Sequence, residues 1–319
     1  MGFKKIILSS VTLLSAITLA ACSSSTSDTD SVNVGIIQYA EHEALTAARE
    51  GFVEALEEAG YKEGENLTID LQNSQGDQAN LQTMVQKLAG NNDLNFAIAT
   101  PAAQAMLNAD AETPGVFTAV TDPVEAGLVE SLETPGGTMT GSIDATDVEG
   151  QIDMLLKVVP TAKTVGIFYN SSEVNSEVQA EQAKKALEAK GIKVEVTTVT
   201  STNDVQQAIT SLAGKVDAIY LPTDNTVAST ASTIGDVLKE AKVPAMGSDA
   251  AVIDAALFTY GVDYHAIGVQ AGELAVKILE GEKPADLAVE KPNSAAITVN
   301  EEMANAVGID AATIKSLEE

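Results

Sequence analysis

The 319-residue chain holds one cysteine, one arginine, two histidines and no tryptophan, and basic residues are outnumbered by acidic ones, 18 to 46. Each shortage excludes something. A lone cysteine, Cys22, forms no internal disulfide. The single arginine, Arg49, sits inside a helical pattern and is expected as a solvated surface charge, so no guanidinium fork is on offer to a bound carboxylate or phosphate. His42 and His265 are far apart, no second cysteine serves as a nucleophile, and Gly-x-Ser-x-Gly, P-loop and His-Glu-x-x-His patterns are all missing. No catalytic set, no cofactor and no metal is therefore expected. Asp122, Asp224 and Asp249 stand one to a loop, unlike an EF-hand. A formal charge of −28 repels nucleic acid and anionic lipid headgroups, and keeps the protein in solution. No tryptophan also means a poor supply of the aromatic faces on which sugars stack.

Long apolar runs are scarce too. The exception is N-terminal: Lys4 and Lys5 precede an uncharged stretch from Ile6 to Ala21, which Ser9, Ser10, Thr12, Ser15 and Thr18 make too polar to span a bilayer. A basic start, a short apolar middle and small residues at the end make a secretory signal. Leu19-Ala20-Ala21-Cys22 resembles a bacterial lipobox. That resemblance implies a signal peptide of residues 1–21 and a diacylglycerol on the Cys22 thiol. Residues 22–31, rich in serine, then form a flexible tether, and the chain sits on the extracytoplasmic face of the cell membrane. Loss of Lys4 and Lys5 takes the charge to about −30.

The rest alternates strands and helices. Val34-Gly35-Ile36-Ile37 reads as a strand. A helix follows with Leu45, Ala48, Phe52, Ala55, Leu56 and Ala59 on one face and Gly60 past its end. Leu67–Leu71 alternates as a strand, Asp77 caps a helix ending at Gly90, and Phe96–Ala99 is a buried strand. The same order returns from Val165-Gly166-Ile167, through a helix over about 176–190, a strand from Val194 to Thr198 and a helix capped by Asp204, to Ala218–Leu221. Val-Gly-Ile occurs at 34 and 165, and Leu-Ala-Gly at 88 and 212, in matching places. Two equivalent βαβαβ lobes with parallel sheets are predicted, and ligands bind at the carboxyl edges of such sheets.

The strand exits are the candidate site. In lobe one they are Gln38-Tyr39-Ala40-Glu41-His42, Thr100-Pro101-Ala102-Ala103 and Thr121-Asp122-Pro123. In lobe two they are Tyr169-Asn170-Ser171, Thr223-Asp224-Asn225-Thr226, Gly247-Ser248-Asp249 and Tyr260-Gly261. Thr-Pro and Asp-Pro are read as helix caps ahead of proline, whose free N–H groups suit an anion. With no arginine to spare, a carboxylate would rest on N–H and hydroxyl groups while Asp122, Asp224 or Asp249 faces an ammonium. A zwitterion fits this better than a phosphate. Phe117 and Tyr220 lie within strands and read as core.

Seven segments together resemble the lipoprotein solute-binding proteins of ABC transporters, in the branch associated with tryptophan and tyrosine uptake in Gram-positive bacteria. They are VGIIQY from Val34, AAREGF from Ala47, GDQANL from Gly76, ATPAAQ from Ala99, FTAVTDP from Phe117, LPTDNTV from Leu221 and GSD from Gly247. The resemblance implies the type I periplasmic-binding-protein fold: α/β, two Rossmann-like lobes with parallel sheets joined by a hinge, and a ligand cleft between them. Lobe one is expected to be residues 32–144 plus about 263–283, and lobe two 145–262 plus about 284–319. The partners implied are an aromatic amino acid, an ABC permease with its ATPase, and a membrane reached through Cys22; the chain is expected to be monomeric and to bind no nucleic acid. Gln38, Thr100, Thr121, Asp122, Asn170, Thr223, Asp224, Asn225 and Asp249 map onto cleft positions, beside Tyr39, His42 and Ala102 at the same exits. A sugar or nucleoside receptor of the same fold is the alternative; a surface lipoprotein with an enzymatic or adhesive role is a third.

Overall fold

The computed structural model describes residues 31–318. The signal segment 1–21, Cys22 and nearly all of the tether 22–31 lie outside the described residues.

In the first lobe, β1 (Val32–Gln38), β2 (Leu67–Asn73), β3 (Leu94–Ile98), β4 (Gly115–Val120) and β5 (Met139–Ile143) form a parallel sheet ordered β2-β1-β3-β4-β5. Helices α1 (Glu43–Glu58), α2 (Gln78–Leu88) and α3 (Thr100–Ala109) connect them. The second lobe repeats this with α4 (Val148–Val158), β6 (Thr164–Asn170), α5 (Val174–Ala189), β7 (Lys193–Val199), α6 (Val205–Ala213), β8 (Ala218–Leu221), α7 (Asn225–Ser229), α8 (Ala231–Ala241), β9 (Ala245–Gly247) and β10 (Phe258–Val262). Its parallel strands run β7-β6-β8-β9-β10, the same winding as lobe one. The repeated Val-Gly-Ile lies in β1 and β6, and the repeated Leu-Ala-Gly ends α2 and α6. Central β3 and β4 are buried throughout, as strands covered on both faces must be, while edge strands β2 and β7 are largely half-buried or exposed.

The chain crosses between lobes three times, always on the β5/β10 side: after β5, between β10 and α9 (Tyr264–Leu279), and ahead of β11 (Ala295–Val299). The last crossing delivers β11 at the carboxyl end of β10, where Ala295 pairs with Val262. It must therefore run backwards, which makes this edge of the expected parallel sheet antiparallel. Helices α10 (Glu301–Val307) and α11 (Ala311–Lys315) then close lobe two. The segment after α9 differs from the expected division: Leu287 and Val289 pack in the first core, and Val289 and Glu290 donate to Leu132 and Gly141, so the return to lobe two falls after residue 290. Two local expectations also change. Tyr260 and Gly261 lie inside β10 rather than at its exit. The Asp204 side chain makes no cap bond to α6 and instead accepts from Ser201. Asp77, by contrast, caps α2 through the Asn80 N–H. Among the described residues no helix is long and apolar enough to cross a membrane.

Helix α9 docks on α1 with almost no gap. A Cβ on Gly51 would lie 2.2 Å from the His265 carbonyl oxygen, and one on Gly268 would lie 2.1 Å from that of Ala48. Beneath α1, the Phe52 ring stacks flat on Phe96, with centroids 3.6 Å apart. Small residues thus let a helix that arrives from lobe two seat on lobe one, and its first residue, Tyr264, is placed at a crossing. Gly268→Val is expected to push the helices apart at a cost of about 1–3 kcal/mol, as overpacking does. Gly137→Ala, at a site with open space around it, is expected to be close to neutral. Denaturant unfolding of both variants measures the difference.

Candidate functional site

The carboxyl ends of both sheets face one cleft. At the end away from the crossings it holds a cavity of about 640 Å³ between Tyr39, Gln75, Gly76, Asp77, Gln78, Gln82, Pro101, Gln104, Ala105 and Asn108 of lobe one and Asn170, Ser172, Thr200–Asn203, Asn225, Thr226 and Ser229 of lobe two. Of the predicted residues, Tyr39, Asn170 and Asn225 line this cavity. His42 reaches across the cleft, with Nε2 3.3 Å from Asn225 Oδ1.

At the crossing side, adjacent strands β3, β4 and β5 end in Thr100, Thr121 and Asp144, all buried. Thr100 Oγ1, Thr121 Oγ1 and Asp144 Oδ1 have no hydrogen-bond partner. Buried polar atoms are normally paired, so three orphans in a row at strand exits make this the candidate site. The backbone just ahead of the two threonines is strained. Ala99 has φ of 85° and Ala119 has φ of 55°, the latter where the β4–β5 register slips. Such conformations cost energy in non-glycine residues and concentrate where side chains must be aimed. Thr100 is not the cap it was predicted to be. It is the first residue of α3, after Ala99, and its hydroxyl stays free. The Ala102 side chain belongs to the core; only its backbone, in the first turn of α3, is at the cleft.

Other predicted residues are committed to structure. Gln38 Oε1 accepts from Arg49 at 2.7 Å and Gln38 Nε2 donates to the Ala40 carbonyl. Arg49 is therefore half-buried and orders the first loop, instead of being a solvated charge. Asp122 is half-buried, and its Oδ1 accepts from the Val124 and Glu125 N–H groups, closing a turn. Thr223 shares a bond with Ser248 and donates its N–H to Gln179, behind the cleft surface. Asp224 caps α7 through the Val227 N–H and also accepts from the Asn170 N–H.

Three residues were missed as site residues: Glu173 and Tyr264 lie just past strand exits that were read, and Asp144 follows β5, whose exit was not. Glu173 lies buried behind Asn170 and Asn225. It accepts from the N–H groups of Asn225 and Thr226, the amides of Asn170, Asn175 and Asn225, and the Thr226 hydroxyl. Asp144 ends β5, and Tyr264 opens α9. The Tyr264 hydroxyl is 3.0 Å from Asp144 Oδ2 and 2.7 Å from Asp249 Oδ2. Asp144 follows Met-Thr-Gly-Ser-Ile, whose polar middle hides the strand and with it the exit.

These acids lack basic neighbours. Burial and the facing Glu173 push the Asp224 carboxyl up to about 7. Burial and Asp249 push Asp144 up to about 6, against the opposing influence of the nearby Thr121 hydroxyl and the hydrogen bond from Tyr264. The Tyr39 hydroxyl at the cavity is raised by burial and by Glu173, Asp224 and Asp77. The cleft thus gathers acidic groups without a counter-charge, which suits a small cationic group.

The model of the ABC transporter substrate binding protein family matches residues 33–314. The chain belongs to that family. This substrate-binding protein is 40% identical over 277 residues to the Tyrosine-binding protein of Clostridioides difficile, covering 86% of this chain and 80% of that one. It is 36% identical to an ABC domain from Streptococcus pneumoniae solved in complex with L-Trp, over 90% of this chain and 98% of that one, with a TM-score of 0.85. It is 43% identical to the ligand-free, open structure of CD0873 from Clostridium difficile, a substrate-binding protein with adhesive properties, over 88% and 95% of the two chains, yet the TM-score is 0.67. The more similar sequence superposes less well. The contacts that His42 and Tyr264 make across the cleft fit this ranking: the lobes are shut.

A carboxyl held above its ordinary range binds, in the folded state, a proton that the unfolded chain releases. For Asp224 the window runs from about pH 4 to about pH 7. Its contribution is present in acid and is lost as pH rises through that window. The melting temperature of the ligand-free protein is expected to fall less between pH 5 and pH 8 in Asp224→Asn than in the wild type. Equal slopes would remove Asp224 from this role.

Proposed function

We propose that this chain is the extracytoplasmic receptor of an ABC importer for an amino acid with an aromatic side chain, tethered by lipid at Cys22. The observation that carries the reading is the cleft's charge balance. Buried carboxylates and unpartnered hydroxyls meet at the strand exits with no lysine among the lining residues and the one arginine already engaged by Gln38. Such a site matches the ammonium of a zwitterion. The carboxylate goes to Thr100 Oγ1 and the free N–H groups in the first turn of α3, where the helix dipole favours an anion. Tyr39 and the cavity beside it take the side chain. The relative named for tyrosine and the neighbour holding L-Trp support an aromatic ligand. Gln38 orders the loop from which Tyr39 projects, and Asn170 and Asn225 shape the opposite wall.

Lobe one and lobe two close on this ligand about the three crossings, with residues 32–144, α9 and the segment up to 290 moving as one body. The lipobox-like Leu19–Cys22 run and the tether after it keep the receptor within reach of the permease.

A thermal-shift series over the twenty amino acids is expected to stabilise the protein with tyrosine, tryptophan or phenylalanine, the shift growing with ligand concentration. No shift with any amino acid, beside a clear one with a sugar or nucleoside, would overturn the ligand. Thr100→Val removes a hydroxyl that has no protein partner, so it should leave the ligand-free melting temperature unchanged or raised while weakening calorimetric affinity about 10-fold. Cys22→Ser should release the protein from membranes with its ligand affinity intact; retention in the membrane fraction would contradict the tether.

A further inference from the structure

Asp144 and Asp249 reach one hydroxyl from opposite lobes. Asp144 follows β5 of lobe one, Asp249 follows β9 of lobe two, and Tyr264 stands between them at the second crossing, all three buried. A phenol carries one proton, so Tyr264 can donate to only one of the two carboxylates at a time. The other is left facing a lone pair. Asp249 places its second oxygen on the Ala251 N–H, but Asp144 Oδ1 has no partner, and neither has Thr121 Oγ1 beside it. No ion pair among the described residues involves either carboxylate.

The pair is short of a positive charge and Asp144 Oδ1 of a bonded partner, and the two carboxylates come together only when the lobes are shut. With the lobes apart, water reaches each carboxylate and the repulsion fades. The other acids do not present it: Asp122 is spent on a turn and both oxygens of Asp224 are held by backbone N–H groups. A metal ion would want more ligands, and among the described residues no group of three or more His, Cys, Asp or Glu could hold one.

We propose that the ammonium group of the bound amino acid is the counter-ion of the Asp144–Asp249 pair, held by Asp144 Oδ1 and Thr121 Oγ1, and that its arrival is what permits the lobes to close. This rests on the amino-acid reading above and adds which acid takes the ammonium and why occupancy and closure go together.

Two measurements test it. Calorimetry compares L-tyrosine and L-tryptophan with their des-amino analogues, 3-(4-hydroxyphenyl)propanoate and indole-3-propanoate. The wild type should prefer the amino acids by 100-fold or more. Asp144→Asn should lose about 10–100-fold in amino-acid affinity, the usual worth of a hydrogen bond to a charged group, and bind the analogues as well as the wild type or better, since the repulsion is gone. A full wild-type preference in Asp144→Asn overturns the proposal. Small-angle scattering without ligand is the second measurement: the wild type should be extended and the Asp144→Asn/Asp249→Asn double variant compact. Equal dimensions for the two overturn the closure claim whatever the ligand is. If the wild type binds no amino acid at all, the amino-acid reading fails and the ammonium assignment with it, while the scattering still decides whether the carboxylate pair holds the lobes apart.

Discussion

Glu173, Asp224, Asp144 and Asp249 are all buried around the cleft, and no lysine or arginine is buried with them among the described residues. Burying a charge without a counter-charge is among the most expensive things a protein can do, so the surroundings of these four groups are constrained more tightly than any apolar contact in the cores. The two pairs meet the constraint differently. Around Glu173 the chain supplies six donors from Asn170, Asn175, Asn225 and Thr226, and Asp224 takes two more backbone N–H groups beside it. That pair is complete within lobe two. The Asp144–Asp249 pair is split between lobes, shares one tyrosine hydroxyl and keeps an unpartnered oxygen. One acidic cluster is therefore wall, and the other is unfinished.

Position follows from the winding. Doubly wound sheets put every strand exit on one edge, and a second copy of the same winding gives an opposing edge. Because all three crossings lie on the β5/β10 side, the cleft has a fixed end and a free end. Tyr264 sits at the fixed end because α9 starts there, and α9 is held by glycine contacts with α1 that tolerate no larger residue. The strained Ala99 and Ala119 set the threonines that follow them. Packing in lobe one thus determines where a hydroxyl of the cleft points, through a chain of contacts that contains no ligand.

Much of this was legible in the sequence, for physical reasons. The helix face from Leu45 to Ala59, the caps at Asp77 and Gly60, and the repeated Val-Gly-Ile and Leu-Ala-Gly tripeptides are local signals, and local signals carry the order of elements and hence the lobes. The strand exits were legible for the same reason. Side-chain commitment was not, because it is decided between segments distant in sequence. Arg49 looks like a surface charge until Gln38 is seen eleven residues away across a loop, and Ala102 is indistinguishable in sequence from a residue that faces the cleft. Asp144 was passed over because its meaning depends on Asp249 and Tyr264, more than a hundred residues on. The antiparallel β11 escaped because its direction is set by where the third crossing enters, which no periodicity records.

A ligand shifts an equilibrium between open and closed lobes only by what it gains in one state over the other. The two ends of an amino acid differ in this respect. Thr100 and the first turn of α3 belong to lobe one alone, so a carboxylate bound there touches the same groups whether the lobes are open or shut. An ammonium between Asp144 and Asp249 meets both lobes, and the like charges it separates come together only on closing. The carboxylate subsite therefore sets how well the ligand is captured, and the ammonium subsite sets whether capture closes the receptor.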